Sequence, residues 1–234
     1  MCTTCGCGSS QEHGHGHHRH EVDKLEKSIL DTNEKYAEVN RKFLAEKSNV
    51  SINFVSSPGS GKTSLLEVTI SKLQGIGPVV VVEGDQHTDL DAERIRAAGA
   101  AAYQINTGKA CHLDAQMVGH AFEHLDIKPN GFVMIENVGN LICPAMFDLG
   151  ETHRVAVIST TEGADKPLKY PDMFFYADTV VINKTDLLPY VDFDIDQCEA
   201  NIRKILPNAK IFRISVKTEE GITEWVDWLK SILV

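Results

Sequence analysis

The stretch Phe54–Leu66, "FVSSPGSGKTSLL", decides the fold. A phosphate-binding loop is Gly, four free residues, then Gly-Lys-Ser/Thr. Gly61, Lys62 and Thr63 supply the last three positions, but Ser56 stands where the first glycine belongs. The flanks compensate. "VSINFVS" (50–56) is a β-branched, apolar run that reads as a strand, and a helical pattern starts at Ser64. The loop therefore lies at a strand-to-helix turn, where backbone N–H groups and the helix dipole favour an anion. Ser56 falls at the strand end, before the anion nest, so its side chain leaves the nest intact. Gly59, Ser60, Gly61, Lys62, Thr63 and Ser64 form the expected cradle. Lys62 would reach the β- and γ-phosphates, and the Thr63 hydroxyl would face Mg²⁺.

Outward from the loop, short apolar runs alternate with helical patterns. The runs are "VVVVE", "AAYQI", "GFVMI", "RVAVIS", "DTVVIN" and "AKIFRIS"; the helical stretches are 64–73, 89–98, 113–125, 194–206 and 222–233. Near-continuous apolar strands belong to parallel sheets buried on both faces. The alternation predicts a three-layer α/β fold, a mostly parallel sheet with helices on both sides. Residues 48–234 are expected to form this nucleotide-binding domain. Residues 21–47 read as a helix with Leu25, Ile29, Tyr36, Val39 and Phe43 near one face. Residues 1–20 read as a flexible tail rich in Cys and His, without apolar periodicity.

The second motif is "NKTD", Asn183–Asp186, directly after "DTVVI". A carboxylate at Asp186 can accept from both the ring N–H and the amino group of guanine, a pair that adenine does not offer. Asn183 would brace the loop, and the stem of Lys184 would lie along the base. "SVKT" follows another strand, and Ser215, Val216 and Lys217 would wall the base pocket. GTP and GDP are the expected nucleotides. Asp85 and Glu136 follow strands and, with Thr63, are the expected hard oxygen donors for Mg²⁺. Gly139, three residues past Glu136, would offer its N–H to the γ-phosphate. Lys62, Thr63, Asp85, Glu136 and Gly139 are thus the candidate catalytic set. No glutamine follows Gly139 and no arginine is placed as a finger, so turnover is expected to be slow.

Six cysteines occur in 234 residues, three of them at Cys2, Cys5 and Cys7. Clustered thiols in a reducing compartment suit metal or redox work more than disulfides. Three thiolates on a short chain fit zinc, copper(I) or nickel, and their spacing does not choose among these. The histidines at 13, 15, 17, 18 and 20 would hold further ions weakly. In "GKACHLDA", Cys111 and His112 give two adjacent donors, whereas a structural site normally takes four. Two copies about a twofold axis would complete it, which implies a homodimer. Cys143, four residues past Gly139, would link that ion to the nucleotide if it reaches it; otherwise these three residues are ordinary packing and helix-start groups.

The net charge is −10 and the hydrophobic share is 42%. The acidic balance argues against nucleic acid as main partner. No apolar run reaches the roughly 18 residues of a membrane span, and the start "MCTTCGCGSS" lacks the order of a secretory signal. A cytoplasmic location is expected.

The segments "MCTTCGCG", "SSPGSGKTSLL", "GKACHLDA", "IENVGNLICP", "DKPLKYP", "INKTDLLPY" and "SVKTEEGI" together resemble the hydrogenase nickel-incorporation GTPases of the HypB family, in the SIMIBI class of P-loop proteins. The resemblance spans the chain, and "SSPG" at the loop start is usual in that family. It implies GTP hydrolysis coupled to nickel delivery into the large subunit of [NiFe]-hydrogenase. It further implies a tail nickel site at Cys2, Cys5 and Cys7, and a nickel or zinc site at Cys111, His112 and Cys143. A dimer favoured by GTP and a small zinc-containing partner, HypA, are also implied. "KTEEG" departs modestly, since members often carry Gly before the Glu. Rival readings are a GTPase chaperone for urease or a cobalamin enzyme, a small-molecule kinase, and a metal buffer with a vestigial nucleotide site.

Overall fold

The computed structural model describes residues 15–85, 90–108 and 110–233, with side chains from Lys24 onward except Glu26. Cys2, Cys5, Cys7 and His13 lie outside the described residues.

Seven strands form one parallel sheet in the order β3-β2-β4-β1-β5-β6-β7. They are β1 Val50–Ser56, β2 Val79–Asp85, β3 Ala101–Asn106, β4 Phe132–Glu136, β5 His153–Ser159, β6 Thr179–Asn183 and β7 Lys210–Arg213. Every residue of β1, β4 and β6 is buried, as expected of central strands covered on both faces. The long helices are α1 His15–Glu46, α2 Lys62–Leu73, α3 Leu90–Ala98, α4 Ala115–His124, α8 Ile195–Ile205 and α9 Ile222–Ile232. Between them lie three short ones, α5 Cys143–Met146, α6 Lys166–Lys169 and α7 Pro171–Phe175, and a 3₁₀ turn at Thr185–Tyr190. The expected three-layer α/β architecture is present.

The core divides by layer. Under one face, α2 and α9 bury Leu65, Leu66, Ile70, Trp225 and Leu229 against β1. Trp225 is wholly buried, and its indole N–H donates to Thr69 Oγ1 at 2.9 Å, so its one polar atom is satisfied. Under the other face, α4 packs Val118, Ala121 and Phe122 on β2 and β4.

Helix α1 begins at His15, inside the stretch expected to be tail, and lies along α4. Its packing face differs from the apolar stripe expected at Leu25, Ile29, Tyr36 and Val39, which are exposed. The buried face is instead Asn33, Ala37, Asn40 and Leu44. The physical reason is hydrogen bonding. Asn40 Nδ2 donates to the carbonyls of Ala115 and Leu149, and Asn33 accepts from the Ala115 N–H while donating to Asp148 O. Buried amides hydrogen-bonded to distant backbone groups make a specific seam that apolar periodicity does not reveal.

Candidate functional site

The glycine loop joins the buried end of β1 to α2. Gly59 and Gly61 adopt φ +74° and +95°, which only glycine takes without strain. At Gly61 a side chain would also sit 2.5 Å from Asn183 Nδ2. Two residues of "NKTD" hold the loop from outside: Asn183 Nδ2 donates to Ser60 O at 3.0 Å and Lys184 Nζ to Gly59 O at 2.6 Å. Gly61 caps α2 with no side-chain acceptor, so the first-turn N–H groups remain for an anion. Lys62 is buried, and burial pushes its pKa down. Its Nζ donates to Ser56 Oγ at 2.7 Å. The serine that replaces the first glycine is thus the resting partner of the loop lysine.

Opposite the loop is a wall of acids. Thr63 Oγ1 donates to Glu136 Oε1 at 2.8 Å. Glu136 pairs in register with Glu83 across β4 and β2, and Asp85 ends β2 two residues later. Glu83 and Glu136 are 2% and 6% exposed. Burial first, and their proximity second, raise the Glu83 pKa to about 10. Burial also raises that of Glu136, against the opposing pull of Lys62, so the two neighbouring carboxyls favour sharing a proton over ionising together. Glu83 Oε1, Glu136 Oε2 and Ser60 Oγ have no hydrogen-bond partner among the described residues. Orphaned, buried carboxylate oxygens beside an inward hydroxyl fit a hard divalent cation such as Mg²⁺. Gly139 closes this cavity of about 620 Å³; a side chain there would meet the backbone of Pro58 at 3.0 Å.

A second cavity of about 310 Å³ adjoins the first, lined by Asn183, Lys184, Asp186, Val216 and Lys217 among others. Lys184 holds φ +62°, an unusual conformation for a lysine, fixed because Thr160 Oγ1 donates to its carbonyl and its N–H donates to Asn183 Oδ1. Ser215 Oγ donates to Asp186 Oδ1 at 2.7 Å and accepts from the Thr218 N–H. Ser215 therefore aims the carboxylate as well as flanking it.

The donor atoms of Cys111, His112 and Cys143 lie within 4.8 Å of one another in a single chain. His112 stacks on Phe147 with centroids 4.0 Å apart. Burial lowers its pKa, which favours the neutral imidazole that ligates a metal. The Cys143 thiol is raised, chiefly by hydrogen bonding with Cys111. Two soft sulfurs and one imidazole suit nickel or zinc.

Three residues escaped the sequence reading. Glu83 is one; its signal was a lone charge closing "VVVVE", two residues before Asp85. Arg94 lines the larger cavity, held by Glu67, Asp91 and Ser64. Asn137 is the third: its Oδ1 accepts from the N–H of Leu113 at 3.1 Å and of Val138 at 3.0 Å, joining the two loops.

Residues 50–213 match the family described as CobW/HypB/UreG, nucleotide-binding domain. A hydrogenase maturation factor HypB from Azotobacter vinelandii is 56% identical over 207 residues, spanning 88% of this chain and 68% of that one. The chain belongs to the HypB family. The HypB crystal structure from Archaeoglobus fulgidus superimposes with TM-score 0.82 at 43% identity, covering 88% of this chain and all of that one. HypB from Helicobacter pylori, crystallised in complex with nickel, gives TM-score 0.82 at 38% identity over 86% and 95% of the two chains. The HypB family places the sheet among P-loop nucleotide-binding folds. Among the described residues, no helix is long and apolar enough to cross a membrane.

Proposed function

We propose that this chain is a slow GTPase that carries nickel and helps insert it into [NiFe]-hydrogenase, with the nucleotide state governing metal binding. One observation carries the reading: the nickel-type triad and the phosphate cavity share the segment Glu136–Cys143, and Asn137 bonds across to the triad's other arm.

The glycine loop and the start of α2 bind the phosphates, with Lys62 leaving Ser56 for the β- and γ-oxygens. Asp186 takes the guanine edge, oriented by Ser215, while the Lys184 stem covers the base. Thr63, Asp85 and Glu136 would hold Mg²⁺, which when bound offsets the charge of the phosphates. The Gly139 N–H would contact the γ-phosphate and draw the segment inward. Gly139 leads through Asn140, which accepts from the Cys143 N–H at 3.4 Å, to the thiol itself.

Nickel is the cargo of Cys111, His112 and Cys143, and Cys2, Cys5 and Cys7 are proposed as a second nickel site. Zinc is the rival occupant of the domain site. Ile142 and Met146 flank Cys143 and are 55% and 47% exposed, an apolar surface suited to the second subunit of a GTP-favoured homodimer. A HypA-type zinc protein and the hydrogenase large subunit are the proposed partners, in the cytoplasm. The fold and nickel chemistry alone also suit a urease or cobalamin-enzyme chaperone; the HypB relative from Azotobacter vinelandii is described as a hydrogenase maturation factor, which favours hydrogenase, whereas that from Helicobacter pylori is described as serving hydrogenase and urease.

Phosphate release tests the reading. GTP should turn over at about 10⁻⁴–10⁻² s⁻¹, the range of small GTPases without an added finger, and Lys62→Ala should abolish it. Equal use of ATP, or hydrolysis that survives Lys62→Ala, contradicts it.

A further inference from the structure

The phosphate cavity contains one buried acid that the proposed mechanism leaves without a task. Strand residues two apart share a face, so Glu83 and Asp85 project from the same side of β2. Glu136 stands beside Glu83 in the parallel register of β4. Gly84 faces the opposite side, where a side chain would meet Leu113 at 2.8 Å. Three carboxylates thus converge on one patch at the C-terminal ends of two neighbouring strands, where open α/β sheets bind ligands.

Glu83 is buried and its Oε1 has no hydrogen-bond partner among the described residues. It also faces a cavity whose buried lysine, Lys62, donates to Ser56 here. Two ionised acids buried side by side are costly, so without a cation the pair keeps a proton, and a divalent ion is what would let both ionise. An incoming nucleotide adds negative charge and draws Lys62 away, which sharpens that need.

We propose that Glu83 is a further residue of the divalent-cation site, completing with Glu136 and Asp85 a three-acid face selective for a hard ion. The inference rests on the proposed nucleotide function. All-oxygen donors suit a hard ion such as Mg²⁺ or Mn²⁺ and make the site chemically distinct from the sulfur–imidazole triad, whose softer donors suit nickel.

The test uses the full chain with GDP and Mn²⁺ as a paramagnetic probe. Mn²⁺ affinity is read by electron paramagnetic resonance, and GDP affinity is measured separately in chelator. Glu83→Gln should weaken Mn²⁺ by about 10–100-fold, the range for losing a supporting acid at a metal site. GDP affinity in chelator should stay within about twofold of wild type, because the anion cradle is untouched. Unchanged Mn²⁺ affinity overturns the inference, as does an equal loss of GDP in chelator, which marks Glu83 as structural only. Should Glu83→Gln not fold, Glu83→Asp is read in the same assay, and an unchanged Mn²⁺ affinity there overturns the inference. A wild-type chain that binds Mn²⁺ no better with GDP than without overturns the nucleotide reading itself, and the inference with it.

Discussion

Asn137 accepts a hydrogen bond from the backbone of Leu113, the residue after His112. Asn137 itself follows the acid wall of the phosphate cavity, and it is 1% exposed. Its Nδ2 donates to Asn53, whose own amide donates to Glu151. Glu151 pairs with buried Arg154, whose guanidinium donates to the carbonyls of Ala145 and Phe147. A buried polar chain therefore runs beneath the triad, from the Cys111–His112 arm to the Cys143 helix. Such a chain has few alternative arrangements, because each unpaired group costs free energy.

Asn137→Ala should break the link at its midpoint. The Leu113 and Val138 N–H groups lose their acceptor, at a cost of about 1–3 kcal/mol each if they stay buried. Denaturant titration should show that loss. Nickel should still bind, but its affinity should no longer differ between GDP and a GTP analogue.

Cys143→Ala should leave Cys111 and His112 as the only side-chain donors of the domain site. Nickel affinity there should fall by more than the roughly 10–100-fold typical of losing a group that only supports a ligand. Isothermal titration of a chain that also lacks the tail cysteines isolates the effect. GTP affinity should be unchanged.

Asp186→Asn should remove two charge-assisted hydrogen bonds to guanine, worth about 1.5–3 kcal/mol each, so GTP affinity should fall on the order of 10²–10⁴-fold. The carboxamide can donate to the 2-oxo group of xanthine, so xanthosine triphosphate should bind the variant better than GTP. Fluorescent nucleotide competition reads both.

Stability in chelator, without nucleotide, should depend on pH through Glu83. Its pKa rises from 4.5 to about 10 on folding. Between these values the folded chain keeps a proton that the unfolded chain has released, so stability is greatest below the lower value and declines as pH rises toward the upper. Urea midpoints across that window should fall with pH in wild type and fall less steeply in Glu83→Gln.

Local patterns made much of this legible. The glycine loop, "NKTD" and the Cys-His pair are each written within a few residues, and their chemistry follows from residue type. The strand runs were visible because central strands are apolar throughout. The strand order β3-β2-β4-β1-β5-β6-β7 was not, since it depends on which strands neighbour in space. Glu83 was hidden for the same reason: its meaning lies in Glu136, its partner across the sheet. The α1 seam was misjudged because Asn33 and Asn40 read as surface amides, while their partners at Ala115, Asp148 and Leu149 are far along the chain. The short helices α5, α6 and α7 span four or five residues each, too few for a period to show.

Equilibrium dialysis of nickel against the chain loaded with GDP, and separately with a non-hydrolysable GTP analogue, tests the central claim most directly. A change of about tenfold or more in domain-site affinity is predicted, a coupling of about 1.4 kcal/mol that lies within the usual allosteric range. Identical nickel affinity in the two states would contradict it.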